Sequence, residues 1–183
     1  FYQIDLYDRH ELSELLYSHT KCCFYFYLDQ RCPSIPDLGM GSNRKLAKLE
    51  TVEYVDLQKF MGDWYVIANI PTFIEKGAVN AIESYRLDSE GRVKTTFTFR
   101  KDSVSGPEKK YNPTGFIYNR KTNAEWRMQF LWPFRSPFLI IDLDDDYSYT
   151  VIGIPSRKYV WIMSREHKMS ERLYNKIISN LEK

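Results

Sequence analysis

No apolar run in this chain is long enough to cross a membrane as a helix. The longest, Cys22–Leu28, has seven residues, where a span needs about 20. A charge excess is also lacking: 26 Lys+Arg stand against 24 Asp+Glu, a net of +2, too little to indicate nucleic acid by itself. Only three histidines occur in 183 residues. Beyond residue 50 the sole one is His167, so a Ser-His-Asp triad would rest on one loop histidine. The three cysteines, Cys22, Cys23 and Cys32, fall within eleven residues, and none follows Pro33. A disulfide framework therefore does not hold the main part of the chain. With no histidine among them they do not form a zinc set; they read as a small loop bridge or free thiols. Gly-rich phosphate loops are missing too. Asp5, Asp8, Arg9, Glu11 and Glu14 interrupt the first 20 residues, where a secretory signal needs an apolar core.

What is abundant is material for a packed interior: 43% apolar residues, 16% of the chain aromatic. Composition divides the chain in two. Residues 1–50 hold every cysteine and the Pro/Gly-rich passage Cys32–Ser42, and read as an extension and linker, poorly ordered or not native to the domain. Within it Asp8–Ser18 has the spacing of a short helix. Residues 51–183 carry the domain. There Trp64, Val66, Ala68 and Ile70 recur at every second position up to Pro71, and Val93, Thr95, Phe97 and Phe99, like Trp126, Met128, Phe130 and Trp132, alternate with mostly polar neighbours. Alternation at period two lays one apolar and one polar face on each strand. Runs near 64–70, 81–87, 92–100, 111–118, 124–132, 137–143, 147–154 and 158–164 make eight strands, separated by turn residues such as Asp88-Ser89-Glu90-Gly91. Eight strands with short connections predict an all-β, antiparallel up-and-down barrel, closure removing the exposed edges. Ser170 as N-cap and the stripe Leu173, Ile177, Leu181 predict a C-terminal helix on the barrel wall.

Three short elements are more specific. Gly62-Asp63-Trp64 opens the first strand, Asp146-Tyr147 opens the seventh, and Ser164-Arg165 closes the last. In that order they resemble the lipocalin family, and with Trp132-Pro133-Phe134 and Tyr159–Arg165 the chain is most similar to bacterial lipocalins of the outer-membrane lipoprotein type. The resemblance covers residues 51–183. It implies that Trp64 and Arg165 close the floor of a cup by a cation–π contact, past which Gly62 admits the chain. It also sets an inward phase: Val66, Ala68, Tyr85, Phe97, Phe99, Trp126, Met128, Phe130, Phe138, Ile140, Tyr149, Val151, Tyr159 and Trp161 line the cup. Such a lining suits an apolar ligand oriented by a few polar groups. The resemblance implies a fatty acid or lysophospholipid, carried in the bacterial cell envelope, at the outer membrane or in the periplasm. Neither Cys22 nor Cys32 is preceded by the small apolar residues that lipidation needs.

Alternatives stay open at this level. The inward aromatics would instead fill a solid core, or the cup would serve an enzyme, for which Glu83 beside Tyr85 or Tyr149 is the one titratable pair. A Glu83 pKa near its solution value, at a wet rim, would remove that case. Phe73 and Ile74, like Trp132-Pro133-Phe134, fit a lid, a membrane-touching patch, a contact with a second copy, or packing on the rim. Asp142, Asp144, Asp145 and Asp146 fail as a calcium loop, because Tyr147 and Gly153 fall where Gly and Glu are required; they read as a polar turn with Asp146 bonding the backbone. Arg92, Lys94 and Arg100 lie on the face opposite Phe97 and Phe99, as on a wall wet outside and dry inside, which argues against nucleic acid. No cofactor or metal is implied.

Overall fold

The computed structural model describes residues 47–182; the cysteines, the Asp8–Ser18 helix and the Cys32–Ser42 linker lie outside them. Antiparallel strands run β1 (Gly62–Asn69), β2 (Ala78–Leu87), β3 (Arg92–Lys101), β4 (Glu108–Tyr111), β5 (Thr114–Ile117), β6 (Glu125–Leu131), β7 (Phe134–Leu143), β8 (Tyr149–Gly153) and β9 (Val160–Ser164). Consecutive strands pair except β4 with β5, and β1 bonds both β2 and β9, so the sheet closes on itself. Both β4 and β5 pair with β3. They are one strand broken at Asn112-Pro113, where proline has no N–H for the ladder, and the barrel is eight-stranded.

Local chemistry sets the turns. Between β2 and β3, Asp88 Oδ1 accepts from the N–H groups of Glu90 (3.0 Å) and Arg92 (2.8 Å), and Gly91 supplies the positive φ of 71°. Between β5 and β6, Asn119 Oδ1 takes Lys121 N–H while Asn123 adopts φ 55° and donates to Val55 O. In the turn before β8 the backbone-bonding carboxylate is Asp144, not Asp146: it accepts from Ser148 N–H at 3.4 Å and from the Ser148 hydroxyl at 2.7 Å, and the Asp144 main-chain carbonyl accepts Tyr147 N–H. Asp144 is two residues closer to β7, where its oxygen faces the returning chain.

Two helices flank the barrel. The single-turn α1 (Leu57–Phe60) is capped by Asp56 and lies across the end where β1 begins; it seats the buried Phe60 there. α2 (Glu171–Leu181) starts at Ser170, whose hydroxyl accepts Leu173 N–H, and packs outside. Two cores result. One fills the barrel; the other, around Tyr149, Val151, Ile162 and Ile177, lies between wall and α2.

Candidate functional site

The closed end is built on Arg165. Its guanidinium lies 3.8 Å from the centre of the Trp64 ring and donates to four carbonyls, those of Lys59 (2.8 Å), Phe60 (3.1 Å), Met61 (2.8 Å) and Asp63 (2.8 Å). It satisfies the carbonyls that α1 leaves open at its C-terminus and ties the end of β9 to the start of β1. Gly62 is required beside it: φ is 98°, and a Cβ would meet Arg165 Nη1 at 3.2 Å. Trp64 Nε1 donates to Phe60 O at 2.9 Å, and the Tyr147 hydroxyl accepts Asp56 N–H at 2.8 Å.

Above this lock is a packed aromatic layer. Phe60 contacts Trp64, Trp126 and Tyr85 with ring centres 5.1, 5.3 and 5.7 Å apart, and Trp126 stacks on Phe138 at 5.1 Å. Met128, Ile140, Ile152 and Met163 complete it. Trp126, Met128, Phe138, Ile140 and Tyr85 thus face inward but form a solid floor, with Trp64 and Trp126 wholly buried. Higher up the wall changes. Val66, Glu83, Tyr111 and Trp161 keep part of their surface open, beside Phe97 and Phe99, which pack on Tyr111. Tyr159 pairs with Trp161, ring centres 6.2 Å apart.

Four expected lining residues lie elsewhere. Ala68, Tyr149 and Val151 pack in the outer core beneath α2. On β1 the register against β9 shifts between Val66 and Ala68; the extra residue turns Ala68 outward and sets Asn69 opposite the inward Trp161. On β8 the register pairs Thr150 with Met163 and Ile152 with Trp161, so those two face in while Tyr149 and Val151 face α2. The alternation was real, but both faces of β8 are apolar and buried, and nothing in the pattern marked which was inner. Phe130 is 53% exposed at the end of β6, beyond the wall. His167 stands outside, its ring 3.9 Å from that of Tyr65.

Polar groups in the cup are few and acidic. Glu83 lies opposite Trp64 on β1 and Phe97 on β3, which places it on the inner face, and it accepts a hydrogen bond from the Tyr85 hydroxyl. Burial pushes its carboxyl up to about 7 despite that bond, with the charge of Glu75 adding to the rise. Burial first, then Glu83, raises the Tyr85 phenol well above its ordinary value. Sequence reasoning found this pair but missed Glu75, a loop residue only 7% exposed. Its two oxygens accept Trp161 Nε1 at 2.7 Å and Thr72 N–H at 2.8 Å, pinning the β1–β2 loop to the wall. A separate recess of about 250 Å³ lies between Leu57, Leu87, Gly91, Ile117, Arg120 and Asn123 near the closed end. It belongs to the barrel's base rather than to the cup. The opposite end carries exposed apolar groups: Phe73 (88%) in the β1–β2 loop, and Leu131, Trp132 (80%) and Phe134 in the β6–β7 hairpin.

The model of the lipocalin-like domain family matches residues 55–183. A putative lipocalin of Acanthamoeba polyphaga mimivirus is 30% identical over 129 residues, covering 68% of this chain and 75% of that protein. The outer membrane lipoprotein Blc of Vibrio cholerae is 24% identical over 142 residues, covering 77% and 80%. Among solved structures, insecticyanin of the tobacco hornworm Manduca sexta superposes with a TM-score of 0.57 at 18% identity, covering 74% of this chain and 76% of that one; it speaks for the fold alone. With the family model matched along the whole barrel and helix, and the Gly62–Trp64–Arg165 lock at its base, the chain belongs to the lipocalin family.

Proposed function

We propose that this protein binds and carries an acyl-chain amphiphile, a fatty acid or lysophospholipid, in the upper part of the cup, and that it works beside a membrane of the cell envelope. The observation that carries this reading is the division of the interior into a solid aromatic floor and a partly open wall of Val66, Glu83, Tyr111 and Trp161. Each methylene taken from water gains about 0.8 kcal/mol, so a long tail on that wall gains several kcal/mol before binding costs. The exposed Phe73, Trp132 and Phe134 at the mouth support loading from a lipid surface. The Vibrio relative's name, an outer membrane lipoprotein, supports the envelope.

Displacement of a fluorescent fatty acid tests the reading. Val66→Trp, which fills the wall just above the floor, should weaken uptake at least about tenfold while the protein stays folded; unchanged affinity would overturn it. A catalytic use of the same cup is favoured by one observation. Glu83 does not sit at a wet rim with a solution-like pKa; it titrates near 7 against a phenol, within the range of a general acid or base. Turnover of a bound ligand that is lost in Glu83→Gln would establish that second reading.

A further inference from the structure

Resting on the carrier reading, we infer that the base of the cup holds a polar subsite, Glu83 with Thr95, that takes the protonated amine of a hydrocarbon-chain ligand, whereas a fatty acid keeps its carboxylate at the mouth with its tail inward. Thr95 is the first observation. It is 4% exposed, and its hydroxyl is a buried side-chain polar atom that meets no partner among the described residues. An orphaned buried hydroxyl costs free energy and is rare. In register Thr95 lies directly opposite Tyr85, so it shares the inner face with it.

Glu83 is the second. It sits opposite Phe97, one inner position along from Thr95, which makes the two diagonal neighbours with backbones roughly 7–8 Å apart. Tyr85 donates to one carboxylate oxygen of Glu83, leaving the second for another donor. An ammonium supplies donors for both that oxygen and the Thr95 hydroxyl. Charge points the same way. The groups acting on Glu83 are Tyr85 on its own strand and Glu75 from the β1–β2 loop. Arg165 acts on Tyr85 from the floor, but its guanidinium is committed to four carbonyls and the Trp64 face. A carboxylate head at this depth would meet acids with no free cation facing it among the described residues; an ammonium would meet its counter-charge.

The test displaces a fluorescent probe from the full chain at pH 8 with dodecylamine, dodecanol and dodecanoate, which share a tail and differ in head. Dodecylamine should bind at least about tenfold more tightly than dodecanoate, as expected for a charge-assisted bond in a dry site. The preference should fall below about threefold in Glu83→Gln and shrink in Thr95→Val, thermal melts checking the fold of each. Should either variant fail to fold, calorimetry of the unaltered protein at pH 7 in buffers of different ionisation enthalpy gives a second readout: amine binding should release protons, since burial raises the Glu83 carboxyl and an ammonium beside it favours the ionised form. Dodecanoate binding as tightly as dodecylamine, or amine binding without proton release, would overturn the subsite and leave the carrier reading standing. No binding of any of the three would overturn both.

Discussion

Glu83 links the stability of the barrel to pH. In the unfolded chain its carboxyl loses its proton near 4.5, whereas in the barrel it holds it until about 7. Between those values the folded state binds more protons, so stability falls as pH rises through that window and the full penalty applies above it. Glu83→Gln should therefore raise the melting temperature at pH 8 and change it little at pH 5; an equal effect at both would show that burial of the charge is not the cause. At the floor the logic reverses, since a charge is fully partnered. Arg165→Ala strips the donor from four carbonyls and uncovers Trp64, and should cost about 2–3 kcal/mol in denaturant unfolding. These floor residues were legible because a short fixed motif at each strand end states their positions. Thr95 and Glu75 were not: a hydroxyl without a partner and a loop carboxylate turned inward exist only once the strands are paired.

At the scale of elements, bulges and two-sided burial decide what sequence hides. The stripe Leu173, Ile177, Leu181 announced α2, and the helix lies where the stripe requires. What it covers was not legible, because its partners Ala68, Tyr149 and Val151 come from strands whose phase is set by the β1 bulge and by the β8 register. Ile177 is 1% exposed in that outer core. Ile177→Ala should lower stability by about 2–4 kcal/mol and leave ligand affinity unchanged, since it lies outside the barrel; loss of binding without loss of stability would contradict the two-core arrangement. The β6–β7 hairpin is the opposite case. Trp132 and Phe134 are 80% and 72% exposed, so replacing both with serine should alter stability by no more than about 0.5 kcal/mol. Transfer of a fluorescent fatty acid from vesicles should nevertheless slow, and an unchanged rate would detach the rim from loading.

The whole molecule was the most legible level. Period-two alternation, turn residues at regular intervals and one terminal amphipathic stripe are repeated signals, so a slip of one residue in any strand leaves strand count and closure intact. The same slip inverts that strand's faces, which is why the barrel matches the pattern while Ala68, Tyr149 and Val151 lie on the faces opposite to those expected. Closure also explains how the interior is divided: the chain before β1 crosses the closed end and fills it with Val55 and Phe60, so the carrier reading needs the far half of the barrel for its ligand. The most direct measurement of that arrangement is native mass spectrometry of the purified full chain, with extraction of whatever it carries. One acyl-chain molecule per protein, released on unfolding and replaced on refolding with lipid, is the expected result. Protein that is empty in every preparation and displaces no fluorescent fatty acid would mean that its own side chains occupy the whole interior.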